Sequence, residues 1–194
     1  NVLSKADILV ENFKPGTLEK WGFGWKDMCK KFPKLIYASA SGFGQTGPLK
    51  ELPAYDMVVQ GMGGLMSVTG QPNSEPTRVG TSIGDITAAL FTTIGINAAL
   101  YDREKTGKGM FIDVSMLDCQ IAILENAISR FYSEKKIPKK LGSRHPSISP
   151  FDFVNETGMA TLSDLDTGIY QVTVTDVNGC TVESNIVYVS QPTN

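Results

Sequence analysis

Apolar positions fall in short runs near the start of this chain. Ile8-Leu9-Val10 is closed by Glu11-Asn12 and the Pro15-Gly16 breaker, and Leu35-Ile36-Tyr37-Ala38-Ser39-Ala40 runs into Gly42-Phe43-Gly44. Runs of this length predict buried strands that end in loops. Between them Thr17 predicts the cap of a short helix through Trp21, and Trp25 to Phe32 predicts a second helix that Pro33 stops. Strand, helix and strand at this spacing predict a parallel βαβ layer with a right-handed crossover. In such sheets ligands collect at the carboxyl ends of the strands, here the loops over 12–16 and 41–47.

Longer periods follow. Residues 55–66 have helical character but hold Gly61, Gly63 and Gly64, which points to close packing or to backbone approaching a ligand. A loop is predicted over 70–80. The next helix is predicted from near Asp85 to about Glu104, ended by Gly107 in a left-handed cap and by lysines at its negative end. Phe111 to Ser115 alternates like a strand. Residues 117–133 predict one more amphipathic helix, with Ile121, Leu124, Ile128 and Phe131 on one stripe.

Beyond Phe153 helical periodicity ends. Residues 168–175 alternate with period two, Asp176-Val177-Asn178-Gly179 offers a hairpin turn, and 181–189 is β-prone. Lysine and arginine are absent after Arg144. This shift in composition predicts two parts, 1–152 and 153–194: an α/β domain with a parallel sheet, then a short tail rich in β-hairpins.

Composition narrows the chemistry. Of 194 residues, 41% are hydrophobic and 20% charged, as in a globular protein, and the net charge of -2 provides no broad field for nucleic acid or an anionic membrane. A phosphate-bearing ligand therefore needs a local site. Cys29, Cys119 and Cys180 are scattered and His145 is the lone histidine, so a structural zinc site is not expected, and the thiols suit a reducing compartment. Residues 86–100 are too short and too polar to span a bilayer and predict a buried helix.

Six segments carry a resemblance. They are Ala6-Asp-Ile-Leu-Val-Glu-Asn-Phe-Lys-Pro-Gly-Thr-Leu, Leu35-Ile-Tyr-Ala-Ser-Ala-Ser-Gly-Phe-Gly-Gln-Thr-Gly-Pro, Pro53-Ala-Tyr-Asp, Gln60-Gly-Met-Gly-Gly-Leu, Gly84-Asp85-Ile-Thr-Ala and Arg103-Glu-Lys-Thr-Gly-Lys-Gly. In this order, over about 150 residues, they resemble the family III CoA-transferases. The resemblance implies an open Rossmann-like sheet, a second domain, and subunits interlocked as rings in a homodimer. It implies acyl-CoA and a carboxylic acid acceptor as partners, with the coenzyme A thioester as substrate and no permanently bound cofactor. Nucleic acid and membrane are not expected partners, and a cytoplasmic location is expected.

The family mechanism, carried over, makes Asp85 the nucleophile that attacks the thioester and forms covalent intermediates. At a helix start the dipole favours a negative group by about 0.3–1 kcal/mol, although a plain helix cap explains that position equally well. The resemblance places Asn12 and Phe13 at the CoA site, where a turn residue and a core aromatic are the alternatives. Lys20 falls where the family often has a phosphate-contacting arginine, and solvated lysine is the alternative. Tyr55 corresponds to a tyrosine beside the thioester end, or else packs in the core. The related α-methylacyl-CoA racemases have histidine where this chain has Tyr55, so the transferase reading leads. His145 is read as structural. Leu52 departs from the arginine common in the family.

The tail from Asp166 resembles a surface β-repeat of bacterial adhesins of the gliding-motility type, which makes a non-catalytic interaction module the competing function. The transferase part reads as an internal fragment joined to a foreign tail. Little or no transferase activity is expected from it.

Overall fold

The computed structural model describes residues 2–142, 146, 168–171, 173–175, 181–183 and 187–189. It divides into two units, Asn1–Gly142 and Ser143–Asn194. In the first, a 3-10 turn (Leu3–Lys5) leads into β1 (Ile8–Glu11), α1 (Thr17–Lys20), α2 (Trp25–Lys31) and β2 (Ile36–Ser41). Then come α3 (Asp56–Met62), α4 (Leu65–Val68), α5 (Ile83–Thr106), β3 (Phe111–Ser115), α6 (Met116–Ala122) and α7 (Asn126–Glu134). Three parallel strands lie in the order β1-β2-β3. The α/β class expected from the periodicity is the class observed.

Period-two alternation puts apolar side chains on both faces of the sheet. On one face Tyr37 and Phe111 pack with Met28, Leu35 and Trp25, so α2 covers that side. On the other, Ala40, Ile112 and Val114 pack with Val59, Ala88, Met116 and Cys119 of α3, α5 and α6. A sheet covered on both faces explains why β2 is almost wholly buried. β1 departs from the expected buried strand: it is an edge, and Val10 is 58% exposed.

Other departures have local causes. Gly16, at φ 83°, takes the N-cap position of α1, and Thr17 is its first helical residue. The helix foreseen over 55–66 splits, because Gly64 at φ 87° reverses the chain, and a Cβ on Gly63 would lie 2.7 Å from Cβ of Gln120. The helix foreseen over 117–133 also splits, at Glu125 with φ 47°. An apolar groove lies between Gly64, Val68, Leu124, Ile128 and Phe131.

The largest correction concerns α5. It begins two residues before Asp85 and is long and apolar enough, by length and composition only, to cross a membrane, yet it lies on β2 and β3 and against α3 and α6. It is not a buried helix all round. Its inner face is made of small residues, Gly84, Thr87, Ala88, Thr92 and Ala99, while Ile86, Leu90, Ile94 and Tyr101 are exposed. Small residues let the axis approach the sheet closely. A Cβ on Gly95 would already be 3.0 Å from Cγ2 of Ile112.

In the second unit, β4 (Gly168–Tyr170) pairs antiparallel with β7 (Val187–Val189), and β5 (Thr173–Thr175) with β6 (Thr181–Glu183). The turn at 176–179, His145 and Cys180 lie outside the described residues.

Candidate active site

The carboxyl ends of all three parallel strands open onto one cleft of about 600 Å³. Asn12, Phe13, Lys14 and Pro15 enter it from the loop after β1. Ser41 and Gly42 enter from the end of β2, and Met116 from the residue that follows β3. Residues 52–57 form another wall, and Ser82 with Asp85 completes it from the start of α5.

Each wall is held by identifiable contacts. Asn12 donates Nδ2–H to the carbonyl of Ala40 at 2.7 Å, which ties the loop after β1 to the end of β2. The backbone N–H of Phe13 donates to Glu11 Oε2 at 2.8 Å. Its ring meets Trp21 edge-on at 5.4 Å, which fixes an aromatic side chain that is 47% exposed. Across β1, β2 and β3, Glu11, Ser39 and Asp113 stand in register. Ser39 bonds Glu11, Gln45 Nε2 donates to Ser39 Oγ at 2.7 Å, and the N–H of Gln45 donates to the Asp113 carboxylate. This polar row holds the glycine loop that follows β2.

Gly42 sets the width of the cleft. A Cβ there would stand 2.4 Å from Cβ of Ala54, so only glycine lets residues 52–55 come this close to the end of β2. Tyr55, just after, is 78% exposed and projects at the rim. The core packing considered for it is therefore not what this chain shows. Leu52, also exposed, lies on the same wall.

Asp85 is the third residue of α5, in its first turn, and it is solvent-exposed. The N-cap position belongs to Ser82, whose side chain makes no capping bond. The first-turn amide that is satisfied from elsewhere is that of Gly84, which donates to Asp56 Oδ1 at 2.8 Å. Among the described residues no hydrogen bond or ion pair holds the Asp85 carboxylate, and Asp85 lines the cleft.

Four of the five residues singled out from the sequence, Asn12, Phe13, Tyr55 and Asp85, line this one cleft. Lys20 does not; it ends α1 and is exposed. The cation in the wall is Lys14, inside a quoted motif but not singled out. The signal was its place directly after Asn12-Phe13 in the loop at a strand end. Asp56 and Ser41 were also missed. Ser41 is 5% exposed and its Oγ has no described partner. Among the described residues no group of three histidine, cysteine or acidic side chains could hold a metal ion.

Comparison with known proteins bears on this site. Residues 1–157 match CoA-transferase family III. Over 152 residues the chain is 51% identical to an acetyl-CoA:oxalate CoA-transferase from Acetobacter aceti, an alignment covering 78% of this chain and 39% of that protein. It is 41% identical over 149 residues to a succinate–glutarate CoA-transferase from Agrobacterium fabrum, covering 77% of this chain and 37% of that protein. It is 39% identical over 146 residues to a human succinyl-CoA:glutarate CoA-transferase, covering 75% of this chain and 33% of that protein. Among solved structures, a CAIB/BAIF family protein from Brucella suis superimposes with a TM-score of 0.75 at 40% identity, covering 81% of this chain and 42% of that one. The chain thus spans under half the length of these relatives.

Proposed function

The chain belongs to CoA-transferase family III, and from that premise we propose that its α/β domain moves coenzyme A from an acyl-CoA thioester to a free carboxylic acid, with Asp85 as nucleophile. The observation that carries the reading is the cleft itself. An exposed carboxylate, without a partner among the described residues, stands at a helix start, in one wall of a cavity that also holds an aromatic ring, an amide and a lysine at the carboxyl ends of parallel strands. Asn12, Phe13 and Lys14 suit the nucleotide and pantetheine arm, and Lys14 supplies a local charge for phosphate that the net charge of the chain does not. Tyr55, exposed at the rim, suits the thioester end.

The proposed steps balance in atoms and charge. A carboxylate oxygen of Asp85 attacks the thioester carbonyl; the C–S bond breaks and CoA thiolate leaves, giving a mixed anhydride. The thiolate then attacks the aspartyl carbonyl, releasing the donor acid as its carboxylate and leaving an aspartyl thioester of CoA. The acceptor carboxylate attacks that thioester and expels the thiolate again. Attack of the thiolate on the acceptor's acyl carbon yields the new acyl-CoA and regenerates Asp85. Splitting one transfer into covalent steps is ordinary nucleophilic catalysis.

The relatives named above act on dicarboxylic acids or their CoA thioesters by their names (oxalate, succinate, glutarate), so a short dicarboxylate is the proposed acceptor class. The racemase alternative is not favoured, since these relatives are transferases and position 55 is tyrosine. The interaction-module alternative is not favoured either. A metabolic role in a reducing compartment follows from the same reading.

The test is trapping. Incubation with an acyl-CoA and hydroxylamine, followed by mass spectrometry, is expected to show hydroxamate at Asp85 and none in Asp85→Asn. An unmodified Asp85 in protein that binds CoA would reject the reading.

A further inference from the structure

The start of α5 has no cap of its own. Ser82 occupies the N-cap position, but its side chain bonds no first-turn amide. That task falls to Asp56, the first residue of α3, which is 28 positions earlier than the Gly84 amide it accepts from at 2.8 Å. Asp56 is itself held from two further sides. Nε2 of Gln60 donates to both its oxygens, at 3.0 and 2.9 Å, and Arg78 lies 3.5 Å from Oδ2. Gln60 is wholly buried, and its Oε1 accepts from the Val79 amide at 2.8 Å. Arg78 also reaches the carbonyls of Gly80 and Thr81. The side chain of Asp56 is 12% exposed, against 45% for Arg78.

The start of α3, the loop over 78–81 and the first turn of α5 therefore converge on one carboxylate. The helix turn bearing Asp85 is tied at the preceding residue, and the strand of loop leading into it is tied at 78–81. Gly84 is required for this closeness. A Cβ there would lie 2.8 Å from Cγ2 of Val59 and 3.1 Å from Asp56 Oδ1. The Gly-Asp pair at 84–85 thus reads as a close-approach residue followed by the reactive one.

We infer that Asp56 is a positioning residue for the transfer reaction: as a tertiary cap on the Gly84 amide, braced by Gln60 and Arg78, it sets where Asp85 presents its carboxylate. This deepens the proposed function and rests on Asp85 being the nucleophile. Near-attack geometry is sensitive to displacements of about 1 Å, which can cost about a hundredfold in rate. The arrangement also predicts which property of Asp56 matters. Asparagine keeps an oxygen for the Gly84 amide and for one Gln60 bond and loses the second Gln60 bond and the ion pair, whereas alanine loses them all.

The experiment compares the whole chain as wild type, Asp56→Ala, Asp56→Asn and Gly84→Ala. Hydroxamate formation at Asp85 is read with an acyl-CoA, CoA affinity is measured separately, and amide exchange at Gly84 is followed by NMR. Asp56→Ala is expected to slow labelling by about tenfold or more and to speed Gly84 exchange by about tenfold, with CoA affinity within about twofold. Asp56→Asn is expected to recover most of the labelling. A merely structural residue would lower thermal stability and leave labelling per folded molecule unchanged, and that outcome overturns the inference. Should Asp56→Ala fail to fold, Gly84→Ala strains the same contact from the helix side, and undiminished labelling there is equally fatal. If wild type itself takes no label, the aspartyl reading falls, and the exchange measurement alone decides whether Asp56 caps α5.

Discussion

Single residues in this fold are legible as chemistry once their neighbours are known. Tyr37 is an apolar-strand residue by sequence, yet its hydroxyl donates to the Phe23 carbonyl at 3.1 Å beneath the α2 side of the sheet. Burial, then the charges of Glu11 and Glu19, push its phenol well above the ordinary value of 10.0. The sign follows directly. The folded chain holds the phenol proton more tightly than the unfolded chain, so the contribution is complete below that ordinary value and is lost progressively as pH rises from there through the raised folded value. Urea midpoints measured from about pH 8 to about pH 11 should fall more steeply in wild type than in Tyr37→Phe. The variant should itself lose about 1 kcal/mol at neutral pH from the unpaired Phe23 carbonyl. Asp85 illustrates the reverse case. Its residue type and the surrounding motif were readable from the chain, but its exposure was not, because that depends on what the start of α5 faces.

At the scale of elements, the glycines decide more than the apolar runs do. Strands and helix cores followed from period two and period 3.6, and β1, α2, β2 and β3 lie within a residue or two of their expected places. Breaks were harder. A stripe through Ile121, Leu124, Ile128 and Phe131 looks like one helix, since periodicity is blind to a single backbone angle such as the φ of 47° at Glu125. Close approaches were equally hidden. Gly109 abuts the backbone of Leu35, where a Cβ would sit 1.9 Å from the carbonyl oxygen, and Arg103 bonds the carbonyls of Asp7 and Lys34 at 3.3 and 3.1 Å. The motif around 103–109 is thus a clamp between the end of α5 and the starts of β1 and β2. Gly42 plays a comparable part at the cleft. Gly42→Ala should push residues 52–55 outward, cost about 1–3 kcal/mol of stability, and weaken CoA binding more than thermal unfolding alone explains, a result that titration calorimetry and a melting curve read together.

For the whole molecule, the unusual feature is the outward face of α5. A helix apolar all round is normally enclosed, yet Ile86, Leu90, Ile94 (62% exposed) and Tyr101 face away from the sheet. An exposed apolar stripe of this kind promotes association. Ile94→Glu should leave the melting temperature nearly unchanged, within about 0.5 kcal/mol, and reduce concentration-dependent light scattering; a large loss of stability instead would mean the stripe is covered by the chain itself. The sequence by itself determined the α/β class, because strand and helix periods are local properties of neighbouring residues. It also determined, through six ordered motifs, the family and most of the singled-out residues that line the cleft. Tertiary structure alone decided that Lys14 rather than Lys20 enters the cleft, that α5 buries its small residues and exposes its large ones, and that Asp56 caps the helix of Asp85. Each of those depends on distances between segments far apart in the chain, which no local pattern encodes.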